Sequence, residues 1–278
     1  MSIYYQDESV TLHLGDALEV ARTLPDESVN CVVTSPPYFG HRDYGIEGQY
    51  GHEETPQEFA DTLVELFREV HRVLATDGTV WLNLGDSYGG GGIARPSGKW
   101  PTQHDPADRA NGKRRSFANE KCLLGVPDKV AESLVDSGWV IRNRIIWVKG
   151  KPTPSNARDR FNSQYEYIFL LVKRDGRRPR YHFDRSTLPA GDVWEMNVAP
   201  FPEAHFATFP IDLPRRCIAA GCPGGGTVLD PFSGSGTTGM AALEQGKKYI
   251  GIDLNADYLD LSLRTRLLEP SLDFGGVS

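Results

Sequence analysis

The chain has 278 residues, of which 39% are hydrophobic and 24% are charged, and its formal net charge is −7. This composition fits one large α/β domain, and no segment approaches the roughly 18 apolar residues that a membrane helix needs. The N-terminus lacks the basic and apolar regions of a signal peptide, and the four cysteines form neither a Cys-x-x-Cys pair nor a cluster with histidine. We therefore expect a cytoplasmic protein with reduced thiols, no metal site and no membrane association.

The first predicted elements are short strands separated by a helix. Val10–Leu14 alternates apolar and polar residues, as a half-buried strand does, and ends at Gly15-Asp16. Helical spacing of apolar residues follows from Ala17 to Leu24. The apolar run Val29–Thr34 predicts a strand buried on both faces, and the two prolines after Ser35 terminate it because they cannot donate to a strand ladder.

A longer helix and another strand come next. Thr55–Glu58 is a capping box with proline at the first helical position, and it begins an amphipathic helix that runs to Leu74. Asp77-Gly78 is predicted to turn the chain into a strand over Thr79–Leu84. The succession of strand, helix and strand predicts a parallel sheet with right-handed crossovers. Residues 86–121 are polar, rich in glycine and basic residues and without periodicity, so we interpret them as a mobile basic insertion.

The same alternation of elements resumes in the second half. The predicted elements are a helix near 127–137, a strand near 139–148, a strand Tyr165–Val172, a helix near 211–221, a strand Thr227–Asp230, a helix near 236–245, a strand Lys248–Asp253 and a helix near 256–268. A second basic stretch, which contains proline, covers residues 173–190. The chain, residues 1–278, is predicted to form a single domain.

Positive charge is concentrated in two segments of this acidic chain. Residues 87–121 hold seven Lys and Arg against three Asp and Glu, and residues 142–185 hold twelve against four. A basic face on an acidic body suits a protein that touches a polyanion with one side only. Solvated loops would produce the same pattern, so charge alone leaves both interpretations open.

Residues Thr227–Thr238 form a strand that runs into a Gly-rich turn and a helix. Glycines allow the backbone to approach a ligand, and the helix N-terminus offers free N–H groups. Asp253 ends the next strand, where nucleoside-binding α/β folds accept hydrogen bonds from ribose hydroxyls. The turn is neither Gly-x-Gly-x-x-Gly nor a triphosphate loop. The Asp230 carboxylate suits a cation, such as the ammonium of S-adenosylmethionine, better than a pyrophosphate; a glycine turn without a ligand is the alternative.

The string Thr34–Tyr38 offers chemistry for a base amino group, although by itself it is usually a plain turn. Such an amino group is a poor nucleophile because its lone pair is delocalised into the ring. Two acceptors for its N–H groups, the Ser35 hydroxyl and the Pro36 carbonyl, would let the nitrogen pyramidalise. Pro36 and Pro37 keep that carbonyl out of a ladder. Tyr38 can stack on a base that has left the duplex.

In combination these motifs resemble those of the amino-methylating DNA methyltransferases. Thr34–Tyr38, Asp230–Thr238 and Gly251–Asp253 look like the catalytic, cofactor-binding and ribose-binding motifs, and their order is similar to that of the circularly permuted β group. The resemblance spans roughly residues 10–265. It implies a doubly wound α/β fold with a mostly parallel, seven-stranded Rossmann-like sheet and inserted DNA-recognition loops. It also implies S-adenosyl-L-methionine as cofactor and double-stranded DNA as substrate.

The resemblance also implies the site residues. Gly15-Asp16 matches a segment beside the cofactor adenine, Ala204–Pro210 looks like a motif against the methionine part, and Gln164–Leu171 resembles a late core strand. The implied catalytic residues are Ser35, Pro36, Pro37 and Tyr38. The implied cofactor-binding residues are Asp16, Thr34, His205, Phe209, Asp230, Pro231, Phe232, Gly234, Ser235, Gly236, Thr237, Thr238 and Asp253. His205 fits a structural role better than a catalytic one.

The first letter of the catalytic motif bears on the choice of base. In this family Ser-Pro-Pro-Tyr usually accompanies methylation of cytosine N4 and Asp-Pro-Pro-Tyr that of adenine N6, so Ser35 favours a flipped-out cytosine, with adenine as the alternative. C5 methylation needs a thiolate, and the chain has no Pro-Cys dipeptide. An RNA or protein amide methyltransferase is a more distant alternative, since its loop would begin with Asn. A non-enzymatic nucleoside-binding domain would predict damaged motifs, and both are intact.

Sequence recognition requires basic and amide side chains in the major groove. The family usually places its recognition region before the His205 motif, which favours residues 173–204, and the 86–121 insertion could share the task. The candidate DNA-binding residues are Arg95, Lys113, Arg114, Arg115, Lys151, Arg177, Arg178 and Arg180. A bacterial or phage origin, a cognate restriction endonuclease and a monomeric or homodimeric state are compatible with the resemblance.

Overall fold

A computed structural model describes residues 2–40, 48–89, 120–150, 157–174, 176, 178–187, 191–197 and 209–268. The strands are β1 (Ser2–Gln6), β2 (Val10–Leu14), β3 (Val29–Thr34), β4 (Leu74–Leu84), β5 (Trp139–Lys149), β6 (Tyr165–Lys173), β7 (Val193–Met196), β8 (Thr227–Asp230) and β9 (Lys248–Asp253). The helices are α1 (Ala17–Ala21), α2 (Pro56–Val73), α3 (Val126–Asp136), α4 (Asp212–Gly221), α5 (Thr237–Glu244) and α6 (Ala256–Ser262), and a π-helical turn, Leu263–Leu267, continues α6.

The strands of the described residues form one sheet in the order β1-β2-β9-β8-β3-β4-β6-β5-β7. Neighbours from β2 to β4 are parallel, β6 is antiparallel to both β4 and β5, and β7 is parallel to β5. Because β6 is inverted between two strands that run the same way, β5 points in the direction of β4. The carboxyl ends of seven strands therefore meet at one edge, which we call the carboxyl edge. Their last residues are Leu14, Thr34, Leu84, Lys149, Met196, Asp230 and Asp253.

The mostly parallel α/β fold is confirmed, and the sheet is wider than the seven strands predicted. The two additional strands are the edges: β1 pairs antiparallel with β2, and β7 pairs with β5. Neither was predicted, because β1 lacks apolar alternation and β7 is only four residues long. β7 also lies within the segment 173–204, and it buries Trp194 and Met196 in the core.

β4 differs from its prediction at its beginning. The predicted strand starts at Thr79 after a turn at Asp77-Gly78, whereas the observed strand starts at Leu74. Val29 of β3 pairs with Leu74, and Cys31, two residues later, pairs with Thr79. Residues 75–78 therefore bulge from the ladder, and the sequence signal for a turn marks this bulge.

Helices cover both faces of the sheet, as the doubly wound prediction requires. α1, α2 and α3 pack on one face, where Val32, Val80 and Leu229 contribute from the strands. α4, α5 and α6 pack on the other, where Cys31 and Val33 contribute. Adjacent residues of β3 thus enter opposite cores, which explains its continuous apolar run.

Local capping agrees with the sequence at two helix starts. Thr55 and Glu58 form the predicted capping box of α2: Thr55 Oγ1 accepts from Glu58 N at 3.1 Å, and Glu58 Oε2 accepts from Thr55 N at 3.2 Å. Asp16 caps α1 by accepting from the backbone N–H of Glu19 at 3.0 Å. No helix in the described ranges is long and apolar enough to cross a bilayer.

Candidate active site

We call Thr34–Tyr38 the catalytic string, after its predicted role, and the residues between β8 and α5 the glycine turn. The two are distant in sequence, and side chains join them at the carboxyl edge. β3 and β8 are parallel neighbours, so Thr34 and Asp230 end their strands side by side. The Thr34 hydroxyl donates to Asp230 Oδ1 at 2.7 Å across a sequence separation of 196 residues. Asp230 Oδ2 accepts from the Thr238 hydroxyl at 2.7 Å, and Oδ1 also accepts from Phe232 N at 3.0 Å. One carboxylate thus fastens β3, the turn and α5 together.

Asp230 is 2% exposed, and this burial has an electrostatic consequence. Burial raises the pKa of its carboxyl to about 6, while the hydrogen bonds from Thr34, Thr238 and Phe232 N oppose the shift. The contact of Asp230 with a ligand stays a prediction. What the geometry adds is a structural role, since both carboxylate oxygens already accept bonds from the protein.

The glycine turn between β8 and α5 has the backbone that its sequence requires. Gly234 and Gly236 adopt φ of +49° and +78°, which side chains disfavour. A Cβ on Gly236 would lie 2.8 Å from Ser262 Cβ, so α6 also requires glycine there. Ser233 N donates to Ile252 O at 2.9 Å and holds the turn against β9. The Ser235 hydroxyl oxygen is buried and has no hydrogen-bond partner among the described residues.

Asp253 ends β9 beside this turn. Its Oδ2 accepts from Gly234 N and its Oδ1 from Asn255 N, both at 2.8 Å. Burial raises the pKa of the Asp253 carboxyl to about 6. Gly15 N donates to the Asp253 carbonyl at 2.9 Å, so the predicted adenine-side segment lies next to the predicted ribose acceptor. The side chain remains partly exposed at this edge.

The other predicted cofactor residues surround the turn to different degrees. Pro231 and Thr237 are buried, and the Thr237 hydroxyl meets the guanidinium of Arg266. Phe232 packs edge to face with Tyr50 at 5.0 Å between ring centroids, a contact that the sequence did not predict. Phe209 packs against the core under α4. His205 lies outside the described residues.

The catalytic string leaves β3 and is held by a polar network. The Tyr38 hydroxyl donates to Glu166 Oε2 at 2.5 Å and lies 3.1 Å from Asn83 Oδ1. Asn83 Nδ2 donates to the same Glu166 oxygen at 3.1 Å, and the Lys149 ammonium pairs with the other. The Ser35 hydroxyl lies 3.4 Å from the Tyr38 hydroxyl, at the margin of a hydrogen bond. Three strands, β4, β5 and β6, thereby fix the tyrosine.

Two glycines shape the path of this string. A Cβ on Gly85 would lie 2.6 Å from Tyr38 Cε2, so the ring packs directly on that backbone. Gly51 adopts φ of +88°, and a Cβ there would lie 2.9 Å from the Tyr38 carbonyl oxygen. Sequence reasoning missed both glycines and the network as well. The available signals were polar residues in otherwise apolar strands, Asn83 in β4 and Glu166 in β6, since such residues need buried partners.

The predicted DNA-binding residues are only partly accounted for. Six of them lie outside the described residues: Arg95, Lys113, Arg114, Arg115, Lys151 and Arg177. Arg178 and Arg180 are exposed on the segment that follows β6. β6 runs away from the carboxyl edge, and His182 N donates to Asp77 O, near the amino end of β4, at 2.8 Å. These two arginines are thus on chain that begins at the edge opposite Ser35.

The raised pKa of Asp230 predicts a pH-dependent stability. A folded-state pKa of about 6 exceeds the unfolded value near 3.9, so folded protein binds more protons between pH 4 and 6. The free energy of unfolding should therefore fall as pH rises through that window, by on the order of 3 kcal/mol for this group. Asp230→Asn should remove this part of the decline in urea denaturation at pH 4 to 7. Asp257→Asn, at an exposed site, is the control, and parallel curves for Asp230→Asn and wild type would contradict the assignment.

The Tyr38 network predicts an energetic coupling. Tyr38→Phe should lower the unfolding free energy by about 1 kcal/mol, and Glu166→Ala by about 2 to 3 kcal/mol because it leaves the Lys149 ammonium and Asn83 amide without their acceptor. The double variant should show a coupling of about 1 kcal/mol in urea denaturation. Tyr181→Phe, whose hydroxyl accepts from Arg142 elsewhere, should not couple to Glu166→Ala. Additive losses for Tyr38 and Glu166 would show that the network is not energetically connected.

Comparison with known proteins agrees with this geometry. The signature of the N6/N4 DNA methylase family, described as DNA methylase, matches residues 29–264. The Type II methyltransferase M.SmaI of Serratia marcescens is 42% identical over 91% of this chain and 89% of its own length. The structure of PvuII DNA methyltransferase (cytosine-N4-specific) matches with a TM-score of 0.73, 20% identity and coverage of 94% and 87% of the two chains. That of TTHA0409 from Thermus thermophilus, complexed with S-adenosyl-L-methionine, matches with a TM-score of 0.64, 28% identity and 91% of each chain. The chain belongs to the N6/N4 DNA methylase family.

Proposed function

We propose that this chain transfers a methyl group from S-adenosyl-L-methionine to the exocyclic N4 of a flipped-out cytosine in double-stranded DNA. The observation that carries the proposal is the Thr34–Asp230 hydrogen bond, which holds the Ser35-Pro36 acceptors beside the glycine turn. If the glycine turn bound no ligand, a bond that holds it next to the catalytic string would serve no catalytic purpose. The relative named as a Type II methyltransferase supports a site-specific activity, and we include a cognate restriction endonuclease in the proposal. We expect this enzyme to act in the cytoplasm of a bacterium or of a phage-infected cell.

The residues present fit the cofactor. The buried, unpartnered Ser235 hydroxyl offers a polar contact, and the backbone at Gly234 is open to a ligand, since a Cβ there would meet nothing closer than Phe232 O at 3.9 Å. Asp253 would accept from the ribose hydroxyls, and Asp16 follows Gly15 on the adenine side. The TTHA0409 structure, 28% identical, contains this cofactor. When bound, it supplies an electrophilic methyl group on a sulfonium centre.

The protein's own task is to prepare the nucleophile. The Ser35 hydroxyl and Pro36 carbonyl accept the two amino hydrogens and hold the nitrogen so that its lone pair is no longer spread into the ring. Preorganised acceptors act more strongly in a site from which water is excluded. Pro36 is buried, and Thr34 is fully buried and bonded to Asp230, so the string is anchored at its start. Tyr38, held at its hydroxyl by Glu166, leaves its ring as the surface for the base.

The base assignment rests on Ser35. Serine at this position accompanies cytosine N4 in the family that the motif resembles, while adenine N6 carries the same amino group beside a ring nitrogen acceptor. C5 chemistry is disfavoured by the thiols: Cys31, Cys217 and Cys222 are buried under the α4 face, and burial raises the pKa of each. Cys122 is exposed, but it comes after β4 in the chain and not directly after β3, and no proline precedes it. The residue that directly follows β3 is Ser35, which offers a hydroxyl acceptor and not a thiolate.

The defining experiment is incubation of the protein with methyl-labelled S-adenosyl-L-methionine and unmethylated DNA, followed by mass spectrometry of the nucleosides. N4-methylcytosine is the expected product, and N6-methyladenine alone would overturn the base assignment. Label in RNA or protein but not in DNA would overturn the substrate class. Ser35→Ala should keep cofactor binding and lower turnover at least roughly 100-fold, because one acceptor of the amino group is lost. Unchanged turnover would refute the role of Ser35.

The cofactor pocket has its own prediction. Asp253→Asn keeps the size of the side chain but removes the charge that would accept from the ribose, so the Kd for S-adenosyl-L-methionine should rise about tenfold, roughly 1.4 kcal/mol. Isothermal titration calorimetry measures this without any DNA. Asp257→Asn, an exposed neighbour on α6, is the matched control. Equal affinity of Asp253→Asn and wild type would remove Asp253 from the pocket.

A further inference from the structure

The connection between β5 and β6 contains an exposed aromatic residue at the carboxyl edge. β5 ends there at Lys149 and β6 begins there at Tyr165, and Lys149 N donates to Gln164 O at 2.8 Å. We call the described part of this connection, residues 157–164, the edge hairpin. It is linked to the catalytic string through the pairs Lys149–Glu166 and Glu166–Tyr38. It therefore lies at the edge where a flipped-out base would enter.

Phe161 in the edge hairpin is 96% exposed. Among the described large hydrophobic residues the next most exposed is Ile3, at 57%, on the edge strand β1. A fully exposed phenylalanine gains nothing from folding, since its ring stays in water. Its neighbours along the hairpin are polar or charged: Arg158, Asp159, Arg160, Asn162, Ser163 and Gln164. The hairpin thus presents one flat apolar ring among groups suited to phosphates and base edges.

The hairpin is braced at its base. The Arg160 guanidinium lies 3.9 Å from the centroid of the Tyr88 ring, and Lys121 pairs with Asp159 at 2.7 Å. Tyr88 and Lys121 are themselves fixed, because Lys121 N donates to Gly89 O at 2.8 Å where the chain leaves for residues 90–119 and returns. Lys121 also offsets the negative charge of Asp159. The ring of Phe161 is therefore carried on a supported backbone with a positive surround.

We propose that Phe161 is an apolar wedge that enters the DNA base stack next to the target base while that base is flipped out. The inference rests on the proposed function and names the surface by which that site engages its substrate. Extrusion of a base breaks stacking on both sides, and an inserted aromatic ring restores part of it. A polyanion is the occupant that matches the two arginines beside the ring, Arg158 and Arg160, since Lys121 already offsets Asp159. The two segments that the sequence suggested for DNA recognition, 86–121 and 173–204, do not include this residue, and of the β5–β6 connection the sequence suggested only Lys151 for DNA binding.

The test compares variants on two duplexes that carry the methylation site mapped for the wild-type protein. One duplex is fully paired, and the other has a mismatch at the target base, which lowers the cost of extrusion. Phe161→Ala should lower kcat/KM at least roughly tenfold on the paired duplex and less than about threefold on the mismatched one. Phe161→Trp should restore most of the loss, and Ile3→Ala, a truncation of another exposed apolar side chain on β1, at the far side of the sheet from β5 and β6, should change neither value.

Fluorescence gives a readout that does not depend on methyl transfer. With the fluorescent cytosine analogue pyrrolocytosine, which pairs with guanine, at the target position, wild-type binding should increase emission as the base leaves the stack, and Phe161→Ala should give less than half of that increase. A Phe161→Ala protein within twofold of wild type on the paired duplex, or one that loses equally on both duplexes, would overturn the wedge while leaving the methyltransferase assignment intact. Failure of the wild-type protein to methylate any DNA would instead overturn the proposed function, and the wedge with it.

Discussion

The buried Asp230 carboxylate is the contact on which the rest of the site depends. It accepts from Thr34 at the end of β3, from Thr238 in α5 and from the backbone N–H of Phe232 in the turn between. Removing a carboxylate from water is costly unless hydrogen bonds compensate, and its raised pKa shows that the compensation here is incomplete. The fold tolerates this cost because one group then sets the distance between the acceptor string and the glycine turn. Both halves of the site are positioned by the same two parallel strands.

A second polar network holds the far end of the catalytic string, which Asp230 does not contact. Asp230 anchors the start of the string, and Tyr38, four residues after Thr34, is anchored by Glu166, Asn83 and Lys149 from three other strands. A string with prolines at two of its positions has few backbone donors of its own, so its far end must be held by side chains. The packing of the Tyr38 ring on Gly85 completes this arrangement. The acceptor groups between these two anchors are therefore kept in place before any substrate arrives.

The inversion of β6 has a consequence for the DNA side of the molecule. Because β6 runs against both neighbours, the β5–β6 connection returns to the carboxyl edge, while the chain after β6 begins at the opposite edge. The basic segment that carries Arg178 and Arg180 thus begins at the edge opposite the site. The edge hairpin, a shorter segment with one aromatic residue, lies at the same edge as the site. β7 then brings the chain back toward the carboxyl edge in parallel with β5. Connectivity and not charge decides which loops share the site.

The sequence by itself determined the elements with a strong local signal. The apolar run of β3, the capping box of α2 and the strand–turn–helix of β8 and α5 depend on period, capping and glycine, which are properties of neighbouring residues. Together with the family resemblance, these signals led to the prediction that Ser35, Asp230 and Asp253 belong to one site. The edge strands β1 and β7 were not predicted, because short strands depend on pairing with distant partners and not on their own sequence pattern.

Only the tertiary structure decided which distant side chains meet. The bond from Thr34 to Asp230 spans 196 residues, and that from Tyr38 to Glu166 spans 128, so no local pattern could specify either pair. The bulge in β4, the inverted strand β6 and the position of the edge hairpin follow from the register and order of the sheet. Strand order is set by burial of whole faces against helices, a sum over the entire chain. For this reason the sequence could predict which residues belong to the site, and the fold alone could show what holds them in place.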